Sequence, residues 1–190
     1  MKKLLALLLA LCALFTFAMA ETETAEEAET AEAIDSFGDI TWERWSRMTD
    51  TSLGQFIPIG SLPYVFWSPD PFDWETVEES GALECYEAMG ETADGTPYTV
   101  TVALLDPGTF TEAFMDSHAQ STDDWSDYEK GTINGMPAVT FYTVSGDETE
   151  ACFVIWPDES AVVTMTVKPF GAEDLNMLFA TMCASVQPAQ

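Results

Sequence analysis

Histidine occurs once, at His118, and lysine and arginine together number six against 33 acidic residues. The shortage of cations removes the electrostatic footprint that phosphate backbones and anionic lipid heads call for, so neither nucleic acid nor an anionic membrane is an expected partner. A single histidine and the lack of any C-x-x-C pair among four cysteines leave no recognisable zinc site, and no metal or cofactor is expected. The G-x-S-x-G elbow of serine hydrolases is missing too. Long apolar runs are confined to Leu4 through Phe17, a stretch shorter than the about 20 residues that span a bilayer.

That run has a telling frame. Lys2 and Lys3 precede it and Ala18-Met19-Ala20 follows, the three-part pattern of an export signal cleaved after Ala20. Residues 1–20 are therefore read as a signal peptide, and a secreted or extracytoplasmic location is expected. Residues 21–36, ETETAEEAETAEAIDS, lack aromatics and cannot bury enough apolar surface to offset chain ordering, which predicts a disordered acidic leader. Residues 37–190 are left as a single globular domain, expected to be a monomer. Outside the signal the basic residues are Arg44, Arg47, Lys130 and Lys168. A surface this acidic admits cationic partners, although solubility alone accounts for it. Cys85, Cys152 and Cys183 are odd in number, so a monomer can form at most one bridge; three buried thiols, or one bridge and a thiol, fit best.

Alternation of apolar and polar residues then sets out the elements. Tyr98, Val100, Val102 and Leu104 alternate with Thr99, Thr101 and Ala103, a half-buried strand that pairs with 83–89 across the Asp94-Gly95 turn. Asp106-Pro107-Gly108 stops it. Thr109 and Glu112, three apart, predict a capping box opening a helix to about Ala119 with Phe110, Phe114 and Met115 inward. Strands follow over 128–133 and 138–144, joined by Asn134-Gly135, then over 150–156 and 161–167. Leu175, Leu178, Phe179, Met182 and Val186 carry the spacing of an amphipathic helix over 172–185. A short helix is expected at 40–48. The proline-broken stretch 56–74 should hold one or two strands at an edge. The fold class is α+β: an antiparallel sheet of about six strands flanked by helices.

From Thr132 to Pro188 the order is strand, I-N-G-M-P-A hairpin, strand, acidic turn, strand, P-D-E-S turn, strand and a helix ending A-S-V-Q-P. This order resembles the secreted bacterial Mog1/PsbP-like domains, chiefly over residues 130–188. The resemblance implies an α/β/α sandwich. It implies little of function, since such domains serve as binding or accessory proteins with unrelated partners.

Candidate chemistry is sparse. Cys85 and His118 are the one couple that could make a thiol hydrolase, with no motif to bring them together. Carboxylate pairs cannot be singled out among so many acids. Asp123, Asp124, Asp127 and Glu129 offer oxygen ligands for calcium without EF-hand spacing, and a solvated loop is the better reading. Trp67, Phe72 and Trp74 stand in the aromatic, proline-rich stretch and could form a stacking platform for sugars or apolar peptides, against the plainer reading that they enter the core. The sequence thus predicts an exported, non-enzymatic accessory or binding module for a ligand or extracellular protein of unknown identity. The alternative is a secreted hydrolase using carboxylates or Cys85.

Overall fold

Asn134 and Gly135 both take positive φ, +51° and +82°, so the central pair of a tight primed turn sits where the sequence asks for one. That turn joins β7 (Trp125–Ile133) to β8 (Met136–Ser145), the centre of an antiparallel meander continued by β9 (Glu148–Asp158) and β10 (Ala161–Lys168). The computed structural model describes residues 35–145 and 147–189. The expected signal peptide and residues 21–34 of the expected leader lie outside them.

Beyond β10 the sheet runs into β6 (Pro97–Leu105) and β5 (Ala82–Glu91), with Thr166 opposite Thr101 and Cys85 opposite Ala103. These are the six strands predicted. Two short ones extend the edges: β4 (Glu75–Thr76) beside β5, and β1 (Asp35–Ile40) running parallel to β7. The order is β1-β7-β8-β9-β10-β6-β5-β4. Strand β1 takes in Asp35 and Ser36, which composition alone assigns to the leader, and it ends at Ile40, so the predicted 40–48 helix shrinks to α1 (Trp42–Trp45). The proline-broken stretch supplies β2 (Gly54–Pro58) and β3 (Tyr64–Pro69), and β3 pairs with both β2 and β11 (Gln187–Pro188) as the middle of a separate three-stranded sheet.

Each face of the large sheet has its own core. On one, Val100, Val102, Val163, Met165 and Val167 are buried beneath Leu175, Phe179 and Met182 of α3 (Glu173–Ala184) and beneath Phe66 and Trp67 of the small sheet. On the other, Val139, Phe141, Cys152, Val154 and Val162 lie under Met115 of α2 (Glu112–Ser121). Fully burying an aliphatic or aromatic side chain contributes about 1.5–3 kcal/mol, so both layers are needed to hold the sheet.

The predicted start of α2 is corrected. Thr111, not Thr109, is the cap: its Oγ1 accepts from the Phe114 amide at 3.1 Å. The Asp106 turn claims Thr109 instead, whose hydroxyl donates to Asp106 Oδ2 at 2.8 Å. Phe110 therefore precedes the helix, Met115 is its buried residue, and Phe114 turns outward with 43% of its surface exposed.

Candidate functional site

Because α2 is anchored to the sheet mainly through Met115, the two layers do not close completely. Between them lies an apolar crevice of about 270 Å³. Its sheet side is supplied by Leu105 of β6, Val154 of β9 and Thr164 of β10, alternating side chains that face away from α3. Its walls are aromatic. Trp125 stacks on Phe141 with ring centres 3.9 Å apart and 21° between planes, and His118 meets Trp125 edge-on at 4.4 Å. Phe114 lies parallel to His118 at 5.9 Å and edge-on to Phe110 at 5.9 Å. Trp156 fixes the Phe110 end by donating its indole N–H to the Phe110 carbonyl at 2.8 Å.

One flank of the helix is tied down by charge. Lys130 Nζ donates to Asp116 Oδ2 at 2.7 Å and lies 4.0 Å from Glu112, while the Tyr128 hydroxyl donates to Asp116 Oδ1 at 2.8 Å. Burial, and then the Asp116 carboxylate, push the Tyr128 phenol far above its ordinary range, so it remains a neutral donor. Cys152 belongs to the same apolar layer; burial, followed by Glu150, pushes its thiol up to about 12. Such a thiol is no nucleophile near neutrality.

The residues singled out by sequence fall elsewhere. Trp67 is only 5% exposed and donates its N–H to the Thr51 carbonyl at 3.2 Å. Trp74, half-buried, donates to Ser68 Oγ at 2.9 Å and packs edge-on against Phe66 at 5.5 Å. Phe72, also half-buried, packs against Trp74 and Tyr98. Much of the aromatic stretch is thus spent joining the small sheet to the core. Cys85 is buried on β5 with its thiol raised, first by burial and then by Glu87. His118 contacts Trp125 of β7, five strand positions away in the sheet order, so Cys85 and His118 are not brought together. Cys85, Cys152 and Cys183 are all buried free thiols. Among the described residues, no group of three or more His, Cys, Asp or Glu side chains converges as metal ligands. Trp125, a crevice-wall residue stacked on Phe141, carries a weak sequence signal: a lone indole inside the acidic run STDDWSD.

At the opposite edge of β7, Asp127 forms a bulge with φ +52° and Glu129 sits opposite Asp35 of β1. Glu129 Oε2 is buried without a hydrogen-bond partner. Its carboxyl is raised, first by burial and then by Asp35 and Asp127. A raised folded-state value favours folding below the unfolded carboxyl range, near 4.3, and that contribution is lost as pH climbs through the folded value. Substitution Glu129→Gln should therefore stabilise the protein at pH 7 by about 0.5–1 kcal/mol, after allowing for solvent screening of a half-exposed group. The gain should fade toward pH 4. Urea midpoints at both pH values check it, and an equal gain at both would refute the electrostatic cause.

The sequence matches no known protein-family profile and no curated protein. Solved structures do resemble the fold. The chain is similar to cyanobacterial PsbP (CyanoP) from Synechocystis, with 14% identity, a TM-score of 0.49, and 72% of this chain covering 93% of that one. It is also similar to LpqN of Mycobacterium tuberculosis, described as involved in cell envelope biogenesis, at 15% identity and a TM-score of 0.41, covering 80% of this chain and 99% of that one. Among the described residues no helix is long and apolar enough to cross a membrane.

Proposed function

We propose that the protein is an exported, non-enzymatic accessory or binding module, acting as a monomer, that receives a small apolar group in the crevice between α2 and the sheet. One observation carries this reading: the crevice is walled by aromatic rings and stays open beside a half-exposed Phe114, where a purely structural layer would have closed. The export signal at residues 1–20 supports a site of action outside the cytoplasm. The raised thiols and the separation of Cys85 from His118 weigh against thiol hydrolysis.

Titration with N-phenyl-1-naphthylamine, a neutral apolar fluorophore, tests the reading. Wild-type protein should bind it saturably, and Thr164→Phe, which puts a ring into the crevice, should weaken binding at least tenfold. Equal binding by a well-folded Thr164→Phe variant would move the site elsewhere; no binding by wild type would end the proposal.

A further inference from the structure

Resting on that reading, we infer that the occupant of the crevice is an apolar side chain presented by a cationic peptide. Three observations converge on it. First is size. A volume of about 270 Å³ falls just under the about 300–1,000 Å³ of pockets that enclose a whole drug-sized ligand. The crevice suits one aromatic or aliphatic side chain and leaves the body of its carrier on the rim.

Second is lining. The crevice lining is apolar apart from the His118 ring, the Trp125 indole N–H and the Thr164 hydroxyl, and it holds no carboxylate, so a compact ammonium group placed inside would lose its hydration without adequate replacement. Positive charge must remain outside while the apolar group enters. A peptide in which apolar and basic residues alternate does both at once.

Third is the charge of the surroundings. The roofing helix carries Glu112 and Asp116, and the loop leading into Trp125 carries the exposed pair Asp123 and Asp124. The cation beside them, Lys130, is already committed to Asp116 and lies close to Glu112. Elsewhere Arg47 pairs with Glu43 and Lys168 with Glu148. With a formal charge of −27 for the chain, an anionic amphiphile such as a fatty acid is repelled from this opening and a cationic one is drawn to it.

The experiment is competition against N-phenyl-1-naphthylamine bound to the intact domain. Three blocked hexapeptides serve: a Phe-Leu pair flanked by lysines, the same pair flanked by glutamates, and a Gly-Gly pair flanked by lysines. The lysine–Phe-Leu peptide should displace the fluorophore at a concentration at least tenfold lower than either control. Raising salt from 50 to 500 mM should erase most of its advantage over the glutamate peptide. Asp123→Asn with Asp124→Asn should weaken that peptide several-fold while leaving fluorophore binding unchanged. Fluorophore binding without any preference for the cationic Phe-Leu peptide overturns the inference and leaves the crevice reading standing. Equal potency of the Gly-Gly peptide means charge alone binds, and also overturns it. Displacement by a cationic detergent but not by the peptide assigns the crevice to lipids and overturns it as well. Failure of the fluorophore itself to bind wild type removes the crevice reading, and the inference falls with it.

Discussion

Asn134→Ala is expected to lower stability by about 3–5 kcal/mol, a fall in Tm of roughly 8–15 °C for a domain of this size. A turn residue on the surface would cost far less. Asn134, however, holds three elements together: its Oδ1 accepts from the Trp42 amide at 2.6 Å, and its Nδ2 donates to the Ala184 carbonyl at 3.1 Å and the Val186 carbonyl at 2.7 Å. Its own amide donates to the Ile40 carbonyl at 2.8 Å. The side chain thus caps the entry to α1 and the exit of α3 at once. Alanine leaves a donor and two acceptors without partners in a half-buried site, each lost bond costing about 1 kcal/mol or more, and it must hold φ +51° at a further cost of about 1–2 kcal/mol. Asn134→Gly separates the contributions, because glycine accepts the positive φ freely and loses only the hydrogen bonds. It should be less damaging than alanine by about 1 kcal/mol. Thermal and urea denaturation of the two variants decide the matter: a loss below 1 kcal/mol for both would mean that the tie to α3 bears little of the fold's stability.

That residue also shows how far sequence reasoning reached. Asn134-Gly135 and Asp94-Gly95 are local signals, and with the alternation along the strands they place one hairpin and a four-strand meander; the pairing of β10 with β6 that joins the two is long-range and has no local signal. Asn134 reads as a turn because positive φ is a local need, while its bonds to Ala184 and Val186 join positions some fifty residues apart. Strand β1 is illegible for the same reason. DSFGDI carries two apolar residues, Phe37 and Ile40, without clean alternation, and it docks on β7 where Gly131 has no side chain; a Cβ there would run into the Phe37 ring and the Gly38 carbonyl. The small sheet depends on β11, which arrives from the far end of the chain to pair with β3. At α2, Thr109 and Thr111 both suit a cap, and the choice lay with the Asp106 turn. With Phe110 outside the helix, its four-residue spacing from Phe114 ceased to define a buried face.

The crevice was hidden more deeply. It gathers residues from α2 and the turn before it, β6, β7, β8, β9 and β10, no two of them adjacent except Phe114 and Met115. Density of aromatics drew attention to 56–74 instead, yet Trp67 shows why density misleads. A buried indole satisfies its N–H internally, and neighbouring rings lock it, so local aromatic crowding more often builds a core than a binding surface.

The second large effect concerns the helix that closes the other face. Phe179→Ala should destabilise by about 3–5 kcal/mol, because the ring is 5% exposed and its removal opens a cavity that the sheet below cannot collapse into. The sheet is held rigid there: Ser185 Oγ donates to the Met182 carbonyl at 2.6 Å and accepts from the Trp67 amide at 2.7 Å, pinning the end of α3 to the small sheet. Trp45 adds a second pin through its N–H to Thr181 Oγ1 at 3.1 Å. With both pins in place the helix cannot sink to fill the void, which argues for the upper half of the range. Met177→Ala, two residues earlier and 40% exposed, should change stability by no more than about 0.5 kcal/mol. Leu178→Ala, half-buried against the same core, should fall between them. The ordering is the test, since it depends on which face of α3 meets the sheet and not on helix propensity, which alanine improves at all three positions. Urea midpoints with unchanged m-values read it directly, and a Met177→Ala loss larger than that of Phe179→Ala would rotate the helix away from the packing described.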